Sequence, residues 1–263
     1  MTRGEHYTFG DGDVAAERLR LLASVFAPSS SGLLRRLSAR APELAVDLGC
    51  GPGYTSELVA RELASVRVIG LDQSPRLLEQ ATREHASERV SFAQADVSRP
   101  PFPAPAAGFL YSRFLLTHLR EPSAVVRAWA SAALPNATLV LEETAFMTGE
   151  HPAFPRYYGL VERMQAHYGQ RMYIGRELEA LCASPDWLVE SSEVVVAPLP
   201  AVNMARLHWL NLRTWSSDAF ARANYAAAEL DELGAELEQI ASGALAAPPV
   251  ACGIGQLVLR RVA

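Results

Sequence analysis

Ala45-Val46-Asp47-Leu48-Gly49-Cys50-Gly51-Pro52-Gly53 is the stretch that decides how this chain folds. Leu44, Ala45, Val46 and Leu48 make a short apolar run of the kind that fills a central parallel strand. Three glycines follow within five residues, and Tyr54-Thr55-Ser56-Glu57-Leu58-Val59-Ala60 then takes up a helical period. The glycines therefore stand at a strand-to-helix junction, where open α/β sheets bind their ligands. Without Cβ atoms they let the main chain turn sharply and let a ligand press against it.

The spacing narrows the ligand. A dinucleotide fingerprint needs its third glycine at position 54, where this chain has Tyr54. A phosphate-binding loop needs a lysine, and all 24 basic residues here are arginine. Pro52 removes one N–H from the turn, so the loop is poor in anion donors. The pattern is an acid, Asp47, followed by G-x-G-x-G, which suits a ligand that carries a cationic ammonium.

On these residues the chain resembles the class I S-adenosylmethionine (SAM)-dependent methyltransferases. The resemblance implies that Asp47 serves the methionine ammonium, directly or through water, while Gly49, Cys50, Gly51 and Gly53 wrap the methionine and ribose. A second strand over residues 66–71 ends at Asp72, about 20 residues beyond the turn, as an acidic ribose ligand should. Gln73 borders the same rim. Val90-Ser91-Phe92-Ala93 reads as a third strand, and the resemblance gives Asp96 the adenine amino group and Val97 a ring nitrogen. A fourth strand near Gly108-Phe109-Leu110-Tyr111 carries Ser112 and Arg113 to the cofactor side. Its usual opening aspartate is replaced here by Ala107-Gly108. Tyr7, Phe9 and Arg18 resemble positions in a leading segment that closes over the cofactor, where Arg18 can pair with the methionine carboxylate.

The implied fold is α/β, a Rossmann-like, mostly parallel sheet of seven strands with helices on both faces and a helical substrate lid. Residues 1–40 form the closing segment, with helices expected from Asp13 to Phe26 and from Gly32 to Arg40. Residues 41–147 form the SAM-binding core, 148–186 the lid, and 187–263 the rest of the core with a second helical insertion. The fifth strand is read as Ala137-Thr138-Leu139-Val140-Leu141 after a turn at Pro135-Asn136. The sixth starts at Trp187, the seventh runs from Gly255 to Arg260, and a helical stretch covers 201–241. The lid segment is rich in aromatic and methionine residues, including Tyr157, Tyr158, Met164 and Met172. Such side chains suit either a core or a pocket for an apolar ring system.

Net charge −5 and a pI near 5.7 argue against nucleic acid as a partner. Three widely spaced cysteines indicate neither a disulfide framework nor a metal site. No apolar run approaches the roughly 20 residues of a membrane span, and no leader opens the chain, so a cytoplasmic monomer or homodimer without a metal is expected.

The resemblance implies transfer of a methyl group from SAM, leaving S-adenosylhomocysteine (SAH). The acceptor is expected to be a small natural-product-like molecule, partly aromatic or polyketide, with oxygen favoured over nitrogen or carbon. A base positioned on such an oxygen adds roughly 10²- to 10⁴-fold. His118 just beyond strand four, His151 in the lid and Glu143 at the end of strand five are the catalytic candidates. Proteins with the same motifs that bind SAM and catalyse a pericyclic closure or decarboxylation are the alternative. A nicotinamide oxidoreductase is disfavoured by Tyr54, and a SAM-binding module without turnover is a further rival.

Overall fold

The computed structural model describes residues 13–40, 42–63 and 67–263. After α1 (Asp13–Leu37), strand and helix alternate: β1 (Leu44–Leu48), α2 (Tyr54–Glu62), β2 (Arg67–Asp72), α3 (Pro75–His85), β3 (Val90–Gln94), β4 (Ala107–Arg113), α4 (Pro122–Trp129) and β5 (Ala133–Thr148). Then come α5 (Ala153–His167), α6 (Leu178–Cys182), β6 (Trp187–Leu199), α7 (Ala201–Trp215), α8 (Ala219–Asn224), α9 (Ala227–Ser242) and β7 (Val250–Arg261). The strands form one sheet in the order β3-β2-β1-β4-β5-β7-β6. β1 to β5 pair in parallel, and β7 lies antiparallel between β5 and β6.

Burial explains the arrangement. β1 sits inside the sheet between β2 and β4 with four of its five residues buried, as an apolar run flanked by strands on both sides requires. Phe109, Tyr111 and Val140 face one side of the sheet, where they pack with Leu33, Leu34 and Leu37 of α1 and Leu58 and Val59 of α2. Leu110, Leu139 and Leu141 face the other side, under Val125 and Trp129 of α4 and Leu178 and Cys182 of α6. A third cluster joins Phe26 of α1 to α5, α7, α9 and the start of β7. Helices thus cover both faces, and a helical layer stands over one end.

Three sequence expectations need correction. The two leading helices are one, because Pro28 lies inside α1 without ending it. An interior proline costs about 3 kcal/mol. That cost is met because Phe26 on one side of Pro28 and Leu33, Leu34 and Leu37 on the other are all buried. β5 starts at Ala133 and not after Pro135-Asn136, since its pairing with β4 shifts register between Ala107 and Phe109 and absorbs the turn, with Asn136 at φ 63°. It also runs on to Thr148 because β7 pairs with it from Thr138 to Thr148. The helical stretch 201–241 is broken into α7, α8 and α9, and the Asp218 side chain caps α8 by accepting from the Phe220 N–H at 2.8 Å.

Within 148–186, α5 joins the layer with α7 and α9, while α6 packs against α4 on the sheet. Between them the backbone at Gly175 presses on β5 and β7. Its N–H donates to Thr144 O at 2.9 Å, and a Cβ on Gly255 would come 2.0 Å from Gly175 O. Side chains at either position would force the loop off the sheet, and Met172 with it. Among the described residues no helix is long and apolar enough to cross a membrane, and no cluster of His, Cys, Asp or Glu is arranged for a metal.

Candidate functional site

The turn after β1 is folded back on β2, with Gly49 N and Cys50 N both donating to Leu71 O at 2.8 and 2.9 Å. This double bond carries Gly51 across to the end of β2, where its N–H donates to Asp72 Oδ2 at 2.9 Å. Asp72 Oδ1 accepts the Ser74 N–H, also at 2.9 Å. Gly49, Gly51 and Gly53 all have positive φ. Gly53 caps α2 in the left-handed conformation and packs against Phe92 and Ala81, whereas a Cβ on Gly51 would meet nothing within 4 Å.

Above the turn opens a cavity of about 540 Å³. Its floor is Gly49, Cys50 and Gly51, and Asp72 and Gln73 form one rim. Asp96 and Val97 form the rim next to it, and Arg18, Leu19, Leu22 and Ala23 of α1 close a wall opposite. Val97 is pinned because its carbonyl accepts the Trp129 Nε1–H at 2.7 Å. Asp96 Oδ1 accepts the Ser98 hydroxyl at 2.6 Å. Arg113, also on the wall, donates to Ser30 Oγ at 3.0 Å and so ties β4 to α1.

A second chamber of about 90 Å³ lies beside the first, and Arg18, Leu22, Phe114 and His118 line both. His118 thus stands at the junction. Burial, and then the Arg18 guanidinium, push its pKa down to about 4, so the ring is neutral at pH 7. Deeper in, the His208 ring stacks on Tyr157 at 4.3 Å, and its Nε2 lies 3.3 Å from the Tyr158 hydroxyl. Burial pushes His208 down to about 3.

The structure brings Arg18, Gly49, Cys50, Gly51, Asp72, Gln73, Asp96, Val97 and Arg113 together on one cavity. Tyr7 lies outside the described residues. Asp47, Gly53 and Ser112 are placed behind the cavity wall. Asp47 Oδ2 accepts the hydroxyls of Thr55 and Ser56 at 2.6 and 2.7 Å, so it anchors α2 to β1. Burial raises its pKa to about 6. Ser112 Oγ donates to Leu48 O at 3.1 Å across the sheet. Of the three catalytic candidates, His118 reaches both chambers and the other two reach neither. His151 Nδ1 accepts the Ala153 N–H at 3.4 Å at the start of α5. Glu143 Oε1 accepts the N–H groups of Leu115 and Leu116 at 2.9 and 2.6 Å, and burial raises its pKa to about 8. The sequence reading did not place Tyr54 and Thr55 of α2 or Leu77 of α3 on the cavity. Their helix starts, directed at the carboxyl ends of β1 and β2, were the available signal.

Residues 45–136 match the family described as a methyltransferase domain. Trans-aconitate 2-methyltransferase of Methylobacterium radiotolerans is 34% identical over 110 residues, 42% of this chain and 41% of that protein. The enzyme of the same name from Methylobacterium nodulans is 32% identical over 128 residues, 49% of this chain and 48% of that protein. The matches therefore span about half or less of these relatives. By structure, a putative methyltransferase of Bacillus halodurans superposes with TM-score 0.60 at 15% identity, covering 89% of this chain and all of the other. The [4+2]-cyclase SpnF superposes with TM-score 0.55 at 17% identity over 98% of this chain and 88% of the other. At these identities the two structures establish a shared fold.

Proposed function

We propose, from the methyltransferase-domain match over residues 45–136, that this chain binds SAM as the class I methyltransferases do and transfers its methyl group to a small acceptor, favouring oxygen. The adjacency of the two cavities, both lined by His118, Phe114, Arg18 and Leu22, carries this reading, since it sets a donor in the first chamber next to an acceptor in the second. The relatives' name specifies a small acceptor, trans-aconitate, for those enzymes.

The residues fit the cofactor. The Asp72 carboxylate, held by the Gly51 and Ser74 N–H groups, suits a pair of ribose hydroxyls, and Gly51 leaves the room beside it that a Cβ would take. Val97 and Leu77 offer an apolar face for a purine, with Asp96 at its edge for an exocyclic amine. Arg18 and Arg113 are the guanidinium groups on the wall, either of which suits a carboxylate. Bound SAM supplies an activated methyl on a sulfonium.

The chain's own part is alignment and exclusion of water, and holding two reacting atoms about 3 to 3.5 Å apart accounts for several kcal/mol of barrier. α1 closes the wall over the donor, and α5 and α7 close the acceptor chamber. His118, neutral at pH 7, is placed to accept a hydrogen bond or proton from a hydroxyl at the junction. Phe26, Phe114, Tyr157 and Met147 in the second chamber favour a partly aromatic acceptor of the natural-product kind.

Calorimetry with SAH and mass spectrometry of candidate acceptors test the reading. Binding of SAH with a gain of about 14 Da in an acceptor is the expected result, and SAH binding with product of unchanged mass establishes the pericyclic alternative, whose fold SpnF shares. No response to SAH or SAM sinks both.

A further inference from the structure

Most of the second chamber is built by residues outside the matched family segment 45–136, which supplies Phe114, Thr117 and His118 to it. Its polar wall is incomplete. Gln165 Oε1, His208 Nδ1 and Asn211 Oδ1 are buried without a hydrogen-bond partner, and Tyr157 Oη makes no close hydrogen bond although Asn211 and Trp215 flank it. All four residues line this one chamber and are less than a tenth exposed. A buried polar group left unpaired costs about 1 to 3 kcal/mol. Most such groups in folded proteins are satisfied, so four on one small cavity mark a place where a ligand's polar atoms complete the set.

The charge of the wall says more. Among the described residues lining the chamber, Arg18 is the one ionised side chain, and it is shared with the cofactor cavity. His118 and His208 are both neutral at pH 7, their pKa values held down to about 4 and about 3. Lysine is absent from the chain altogether. Stripping water from a carboxylate costs several kcal/mol unless a cation and further donors replace it. One guanidinium matches one carboxylate, so a second and third would enter unpaired. The volume of about 90 Å³ holds on the order of six to nine water-sized groups, enough for one substituted ring.

We infer that Tyr157, Gln165, His208 and Asn211 select as methyl acceptor a compact, hydrogen-bonding ring compound with at most one negative charge, and that a tricarboxylate of the kind in the relatives' name is excluded. The inference rests on the methyltransferase reading, which concerns the other cavity and is tested separately. The amide oxygens, and His208 Nδ1 when Nε2 donates to Tyr158, are acceptors aimed at a ligand's hydroxyl or N–H.

The test uses full-length protein saturated with SAH, whose own melting shift reports on the methyltransferase reading alone. Phenol, catechol, salicylamide and trans-aconitate are then compared by further melting shift and, with SAM, by SAH release. At least one of the three ring compounds should stabilise the SAH-loaded protein and be methylated, with trans-aconitate inert. Turnover of trans-aconitate overturns the inference, and so does silence from all three rings in a protein that binds SAH. For the responding compound, Asn211→Leu and Gln165→Leu should each raise KM about tenfold, equivalent to about 1.4 kcal/mol. SAH affinity should stay within about twofold in both, a free-energy change of less than about 0.5 kcal/mol. Since Asn211→Leu removes an unpaired buried group, it should melt no lower than the parent protein. Unchanged KM in both variants refutes the assignment whatever their stability.

Discussion

Gly51 and Gly53 are two residues apart and share a left-handed backbone, yet alanine at each should fail differently. Their φ values are +52° and +90°. Either substitution costs about 1–2 kcal/mol for the left-handed conformation alone. At Gly53 the new Cβ lies 2.8 Å from Phe92 Cζ and 3.0 Å from Ala81 Cβ, inside a packed seam between α2, α3 and β3. Such overpacking adds about 1–3 kcal/mol. At Gly51 no atom stands within 4 Å, so that addition is missing. In a chain of this size about 2–4 °C of melting temperature is lost per kcal/mol, which sets Gly53→Ala about 2–12 °C below Gly51→Ala. Binding should order them the other way. A methyl at position 51 would stand beside the Asp72 carboxylate in the cavity proposed for the cofactor, and SAH affinity should fall about tenfold, close to 1.4 kcal/mol. Thermal melting without ligand and titration calorimetry with SAH give both numbers. Equal melting temperatures, or a Gly51→Ala protein that binds SAH as the parent does, would refute the division of labour between the two glycines.

Asp72→Ala should weaken SAH by about 1–3 kcal/mol through lost hydrogen bonds to the ribose, and calorimetry showing no loss removes Asp72 from the cofactor site. Because burial raises the Glu143 carboxyl from 4.5 to about 8, the folded protein holds a proton there that the unfolded chain has released, and stability should fall as pH rises through that window. Asp47 acts in the same sense between 3.8 and about 6, so the fall between pH 6 and 8 belongs to Glu143. Denaturant unfolding of Glu143→Gln should show that upper part flattened, and an unchanged slope would count against a protonated Glu143. The acid limb of the rate that depends on His118 should lie near pH 4, since the ring is neutral above it; a limb near 6.5 that vanishes in His118→Asn would mean the ring is solvated.

The glycine-turn cavity proposed for the cofactor was legible because its signals are local. A buried run, three glycines and an acid about 20 residues on all belong to one β-α-β unit, and the spacing brings Gly51 and Asp72 into contact without help from the rest of the chain. The acceptor chamber had no such signal. Its walls come from α1, the end of β5, α5 and α7, so Arg18 and Asn211 meet across almost the whole sequence. The aromatic and methionine-rich run leaves Tyr157 and Met164 open between core and pocket, and composition cannot say which buried polar groups lack partners. The spacing divides α1 into Asp13 to Phe26 and Gly32 to Arg40, and it is tertiary burial on both sides of Pro28 that keeps the helix whole.

Glu142 and Glu143 show where reading an acid at a strand end reaches its limit. Both stand near the carboxyl half of β5, the place where chemistry gathers in open sheets. Successive residues of a strand point to opposite faces, so the pair cannot serve one site. Glu142 faces α1, where Oε1 accepts the Tyr111 hydroxyl at 2.5 Å and Oε2 accepts Gln256 Nε2 at 2.8 Å, and Gln256 in turn reaches Ser29. It therefore clamps β4, β7 and the middle of α1, one helical turn from Phe26 and two from Leu22. Glu143 faces the other way and holds the N–H groups of Leu115 and Leu116, which set the course of the segment bearing Phe114 and His118. Each acid thus fixes one wall of the junction between the two chambers from outside it: Glu142 through α1, Glu143 through the turn after β4. Replacing either should widen or misplace that junction while leaving every cavity-lining side chain in the sequence.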